Sequence, residues 1–176
     1  MIMQIWDQNS LSAALDIDVP AHFCAGRIEF NSQNIQAGDL FIALKGNRDG
    51  HEFVADALSK GASMAIIEYH PDNCDPSKLL IVQDCYQALL ALANYNRQRI
   101  SAKFIGITGS IGKTSTKEAI AHALAASGKV FTGRGNFNNH LGVPINMASI
   151  APDSDFVVLE LGMSSAGEID NLSSII

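Results

Sequence analysis

Apolar positions along the chain follow two rhythms. Short runs of branched residues bounded by glycine, asparagine or charge predict strands at residues 27–30, 39–43, 65–68 and 79–82. Between and after them, residues 51–60 and 86–99 carry apolar side chains at helical spacing, the second with Leu89, Leu90, Ala93 and Asn96 on one stripe. From residue 101 the order becomes regular. A strand at 103–108, expected to be buried, runs into a glycine loop, a helix follows over 113–127 with Ile120, Ala123, Leu124 and Ser127 on one face, and a strand at 130–132, a helix at 143–148 and an apolar strand at 156–161 complete the series. Strands alternating with helices call for a parallel sheet covered by helices, and residues 173–176 read as the start of a further helix.

The chemistry is concentrated at 105–118, Ile-Gly-Ile-Thr-Gly-Ser-Ile-Gly-Lys-Thr-Ser-Thr-Lys-Glu. Glycines at 109 and 112 let backbone N–H groups turn toward a polyphosphate, Lys113 neutralises its outer oxygens, the Thr114 hydroxyl reaches Mg²⁺, and the helix that follows presents its positive end. The strict phosphate-loop pattern would put a glycine at 107, where this chain has Ile107, so the match is a variant carried by its flanking strand and helix. Gly109, Ser110, Gly112, Lys113, Thr114 and Ser115 are therefore candidate nucleotide-binding residues, with ATP or GTP as the ligand. Glu160 closes the run Phe-Val-Val-Leu at 156–159, which places its carboxylate at the carboxyl edge of a parallel sheet, where an Mg²⁺ ligand paired with Thr114 would stand. The loop at 133–144 is dense in groups that both donate and accept hydrogen bonds, among them Asn138, Asn139 and His140; such a loop suits a polar ligand, although asparagine and glycine are also common turn formers. Lys45 and Arg48, in the glycine loop at 45–50, could take a phosphate or remain solvated loop charges.

Length and composition narrow the classes. A chain of 176 residues with 47% hydrophobic content can build one domain or two small ones. A net charge of −6 argues against a dedicated nucleic-acid binder, which would carry a basic patch. Cys24, Cys74 and Cys85 lack the spacing of a metal site, and the first residues lack a basic region followed by a long apolar stretch. A cytoplasmic protein with reduced thiols and no membrane insertion is expected.

The fold class is thus α/β: a small mixed α/β domain over residues 1–99, then the first part of a phosphate-loop-type, parallel-sheet ATPase domain over 100–176, whose three expected strands are fewer than a doubly wound sheet usually has. Three blocks taken together resemble the Mur ligase family of peptidoglycan synthesis: Gly-Asp-Leu-Phe, Lys-Gly and Asp-Gly-His within 38–51, the segment 106–118, and Glu-Leu-Gly at 160–162. Within that family, the segments 135–144 and 160–169 are most similar to those of the member that adds D-alanyl-D-alanine. The resemblance implies an ATP-dependent amide-bond ligase of three domains. The first holds the UDP end of UDP-N-acetylmuramoyl-tripeptide, the second binds ATP and Mg²⁺, and the third, which this chain does not include, helps close over ATP and D-alanyl-D-alanine. It further implies catalytic roles for Lys113 and Glu160, metal ligation by Thr114 and Glu160, and substrate contacts from Ser32, Lys45, Asn138, Asn139 and His140. Where the family usually has an acid and an arginine flanking a hydroxyl residue, this chain has Asn31, Ser32 and Gln33. Other readings are a sister ligase adding a diamino acid, a relative of folylpolyglutamate synthetase, or a non-catalytic nucleotide- or UDP-sugar-binding module.

Overall fold

A computed structural model describes residues 4–163 and 165–176. Ser164, inside the block that begins at Glu160, and the first three residues lie outside the described residues. The chain divides into two compact units, one ending at Leu92 and the other beginning at Ala93.

The first unit opens with two strands and a helix that the apolar pattern did not reveal: β1 (Trp6–Asp7), α1 (Gln8–Leu15) and β2 (Cys24–Ala25), with β1 and β2 antiparallel. Helix α1 starts where Asp7 accepts a hydrogen bond from the Ser10 amide at 2.8 Å while the Ser10 hydroxyl accepts from the Asp7 amide at 3.0 Å, a reciprocal cap. Four strands then form an all-parallel sheet in sequential order: β3 (Ile28–Glu29), β4 (Leu40–Ile42), β5 (Met64–Ile67) and β6 (Leu79–Ile81). Leu40, Phe41, Ile42, Ile66 and Ile67 are fully buried, as strands covered on both faces must be. The expected helix at 51–60 is a 3-10 turn at Gly50–Phe53 followed by α2 (Val54–Ser59). Asp49 caps that turn by accepting from the His51 amide at 3.0 Å, which favours the tighter winding.

Helix α3 (Cys85–Arg99) contains the division between the units. Its buried stripe is Cys85, Ala88, Leu89, Leu92, Ala93 and Asn96, so Leu92 rather than the expected Leu90 lies on the inner face. The division falls at Ala93 because that residue joins the core of the second unit. Asn96 is fully buried there, and its amide donates to the Met147 and Ile150 carbonyls at 2.7 and 3.0 Å.

The second unit consists of β7 (Lys103–Ile107), α4 (Lys113–Leu124), β8 (Val130–Thr132), α5 (Gly142–Ala148), β9 (Phe156–Glu160) and α6 (Glu168–Ser173). All three strands are parallel, and β9, last in sequence, lies between β7 and β8. This order explains a difference from expectation. Strand β7 was read as buried, but it is a half-exposed edge strand in the described sheet, and β9 is the buried one. Burying Val157, Val158 and Leu159 contributes about 1.5–3 kcal/mol each. The buried face of α4 is Lys117 and Ala121, flanked by half-buried Ile120 and Leu124; Ala123 and Ser127 point to solvent, because α4 ends at Leu124 and turns its 117–121–124 row to the sheet. Residues 173–176 end a helix rather than begin one: the Ser173 and Ser174 hydroxyls bond back to the Asp170 and Asn171 carbonyls at 2.9 and 2.7 Å.

Candidate functional site

Because β7, β8 and β9 are parallel, their carboxyl ends share one edge, and the register pairs Ile107 with Glu160 there. The chain leaves β7 through Gly109, at φ 147°, and enters α4 through Gly112, at φ 81°, conformations in which a side chain would be strained. Helix α4 has no side chain capping its first turn, so its leading N–H groups remain available to an anion. Lys113, the first helical residue, folds back so that its ammonium donates to the Gly109 carbonyl at 2.7 Å. A cleft of about 770 Å³ follows this edge and brings together Ser110, Gly112, Lys113, Thr114, Ser115, Asn138 and Glu160.

Glu160 is 5% exposed, and its Oε1 stands 3.1 Å from the Lys117 ammonium. That contact is electrostatic rather than an aligned hydrogen bond, since Oε1 has no hydrogen-bond partner. The hydrogen bond of Lys117 goes instead to the Gly133 carbonyl at 3.0 Å. A buried carboxylate oxygen without a hydrogen bond, on the wall of a cleft that Thr114 also lines, fits the donor set of Mg²⁺, which takes one or two protein oxygens and completes its shell with phosphate and water. Among the described residues no cluster of three or more acids, histidines or cysteines could hold a metal by itself.

A second cavity, about 500 Å³, is lined by Lys113, by Asn138, Asn139 and His140, and by Glu168 and Asn171 of α6. The segment at 134–142 is positioned from below by Asn146, which is 1% exposed in an otherwise apolar helix. Its Oδ1 accepts from the Arg134 amide at 3.0 Å and its Nδ2 donates to the Phe137 carbonyl at 2.9 Å. Asn139 Oδ1 accepts from the Gly142 amide at 2.9 Å and so caps α5, while the backbone carbonyl of Asn138 accepts from the Gly162 amide at 2.7 Å. Lys117 and Asn146 escaped the sequence reading. The signal for each was a polar residue on an apolar helical face.

Ser32 and Lys45 belong to the first unit. Ser32 is buried, and its hydroxyl, after Lys60, helps hold the Asp56 carboxyl below its usual range. Asn31 keeps a capping role, accepting from the Gln33 amide at 3.0 Å. Lys45 forms an ion pair with Glu68, and Arg48 pairs with Glu52 at 2.7 Å over the ring of Phe53. His51, buried, donates from Nδ1 to Asp49 at 2.6 Å, accepts the Glu68 amide on Nε2 at 2.9 Å and stacks on Tyr69 at 3.9 Å. The Tyr69 hydroxyl and then the His51 amide hold the Asp49 carboxyl well below the carboxylate range, and burial pushes the Cys85 thiol up to about 12.

A parallel sheet that delivers an acid to the mouth of a glycine loop and a helix N-terminus defines an α/β protein of the strand–loop–helix type. Its lineage follows from two matches: residues 26–105 fit the family described as "Mur ligase family, catalytic domain", and residues 107–176 fit "Mur ligase middle domain". The chain belongs to the Mur ligase family. It is 46% identical over 172 residues to the UDP-N-acetylmuramoyl-tripeptide–D-alanyl-D-alanine ligase of Rickettsia prowazekii, an alignment covering 98% of this chain and 38% of that protein. The Escherichia coli ligase of the same name is 39% identical over 140 residues, covering 79% of this chain and 30% of the relative. Among solved structures, the D-alanyl-D-alanyl ligase of Acinetobacter baumannii superposes with a TM-score of 0.82 at 35% identity, over 99% of this chain and 40% of that one. MurF ligase from Thermotoga maritima, solved in complex with ADP, superposes with a TM-score of 0.67 at 35% identity, over 86% of this chain and 35% of that one. The chain therefore spans well under half the length of the relatives it matches.

Proposed function

We propose that this chain carries the UDP-substrate and ATP-binding portions of a ligase that joins D-alanyl-D-alanine to UDP-N-acetylmuramoyl-tripeptide in peptidoglycan precursor synthesis, in the cytoplasm. The observation that carries the reading is the buried Glu160 oxygen without a hydrogen bond, set at the sheet edge beside the glycine loop and Lys113. The identities to ligases of that name, and the ADP bound to the Thermotoga maritima relative, support it. Among the described residues no helix is long and apolar enough to cross a membrane.

In this reading residues 100–176 bind ATP. The backbone at Gly109, Ser110 and Gly112 and the first turn at Thr114 and Ser115 surround the phosphates, and Lys113 exchanges the Gly109 carbonyl for phosphate oxygens. Thr114 and Glu160 hold Mg²⁺, which when bound neutralises phosphate charge. The γ-phosphoryl group passes to the terminal carboxylate of the tripeptide, giving an acyl phosphate and ADP; the dipeptide amine then attacks, the amide forms and phosphate leaves. Asn138, Asn139 and His140, which line the second cavity together with Lys113, orient the acceptor. Residues 1–99 hold the UDP end, with Lys45 moving from Glu68 to a phosphate and Ser32 supporting the turn behind it.

Calorimetric titration of the chain with Mg-ATP tests the reading. Binding that disappears in Lys113→Ala supports it, and the absence of binding to the unaltered chain overturns it. The amine is tested on the complete gene product, where ligation of D-alanyl-D-alanine in preference to a diamino acid is expected and the reverse preference would assign a sister activity.

A further inference from the structure

The position proposed for a divalent cation already faces a fixed positive charge. Lys117 is carried by α4 one turn beyond Lys113, its side chain is 4% exposed, and its ammonium lies 3.1 Å from Glu160 Oε1 and 3.5 Å from Glu118 Oε1. The hydrogen bond to the Gly133 carbonyl at 3.0 Å ties the same ammonium to the end of β8, so one side chain joins the ends of two strands. A cation arriving at Glu160 must share that carboxylate with Lys117 in a buried setting, where screening by water is weak. Glu160 and Lys117 together are neutral, and the Glu118 carboxylate, 65% exposed, is screened by water, so the buried pair offers a lone divalent ion little attraction. Nucleotide phosphates bring the negative charge that such an ion lacks there.

We propose that Lys117 is a positioning residue that acts as a charge gate, holding Glu160 and the Gly133 carbonyl in place and making cation uptake at Glu160 conditional on bound nucleotide phosphates. The inference rests on the nucleotide and metal reading given above.

The test uses the 176-residue chain, Mn²⁺ as the metal and ADP as the nucleotide. Free Mn²⁺ is followed by electron paramagnetic resonance in unaltered protein, Lys117→Met, Lys117→Arg and the double variant Lys117→Met with Glu160→Gln. Without ADP, Lys117→Met should bind Mn²⁺ at least about tenfold more tightly than unaltered protein. Lys117→Arg should behave as unaltered, and the double variant should lose the gain. Equal nucleotide-free Mn²⁺ affinity in unaltered protein and Lys117→Met, with Mg-ADP still bound by the former, overturns the gate alone. Failure of the unaltered protein to bind Mg-ADP overturns the gate together with the nucleotide reading. A measurement without substitution covers the case in which Lys117→Met does not fold: Mn²⁺ should broaden the Gly133 and Leu161 amide signals in nuclear magnetic resonance spectra only when ADP is present. Broadening without ADP overturns the proposal.

Discussion

The charged loop after β4 and the glycine loop after β7 are built from similar residues, lysine and glycine with a carboxylate nearby, yet they finish in opposite states. In the first, Lys45 meets Glu68, Arg48 meets Glu52, and Asp49 is shared by His51 and Tyr69. In the second, Lys113 rests on a loop carbonyl and a buried oxygen of Glu160 lacks a hydrogen bond. The difference teaches how to read charged loops. A cluster whose partners all come from the protein is held by the fold before any ligand arrives, whereas a buried oxygen left without a hydrogen bond marks a place arranged for something that arrives.

The comparison can be broken most forcefully at Lys117. Removing one partner of a buried ion pair leaves an uncompensated charge, so Lys117→Ala should lower unfolding free energy by about 3–5 kcal/mol in a denaturant titration. Lys113→Ala should do the reverse, leaving stability unchanged while weakening nucleotide binding by about a hundredfold, or about 2.8 kcal/mol by calorimetry. Asn146→Ala, which removes the hydrogen bonds to the Arg134 amide and the Phe137 carbonyl, should cost about 1–3 kcal/mol of stability.

Acid should act on the first unit. Asp49 and Glu68 have folded values below their ordinary 3.8 and 4.5, Asp49 through Tyr69 first and Glu68 through Lys45 first. Their contribution is therefore complete above about pH 4.5 and is lost as pH falls below that range, which circular dichroism between pH 6 and 2 would follow. Lys45→Met should have the smallest effect on melting temperature, because the ammonium is exposed. A large loss of UDP-sugar binding in that variant would show that the paired loop also serves a ligand.

Much of the second unit was legible because its punctuation is local. Gly109, Gly112 and Lys113, between an apolar strand and a helical pattern, mark a strand-to-helix turn, and the apolar run ending at Glu160 reads as a further strand of the same sheet. Burial was less legible. The apolar residues Phe104, Ile105 and Ile107 suggest a buried strand, but burial in a sheet depends on which strand inserts between two others, and β9 takes the middle through its pairing with both β7 and β8. The first 25 residues were opaque because β1 and β2 are two residues each, too short to show alternation, and the cap of α1 pairs Asp7 with serine in place of the usual glutamate or glutamine. Lys117 and Asn146 were hidden for another reason: a single polar residue in a helix is read as facing solvent until its partners are known.

Asn146 has one more consequence. Its amide spends its oxygen on the Arg134 N–H and its nitrogen on the Phe137 carbonyl, both in a segment with no regular secondary structure. Arg134 should therefore keep its amide hydrogen against solvent deuterium far longer than an ordinary loop residue does, and the rate at which that hydrogen is lost would time each opening of the segment that carries Asn138 and His140.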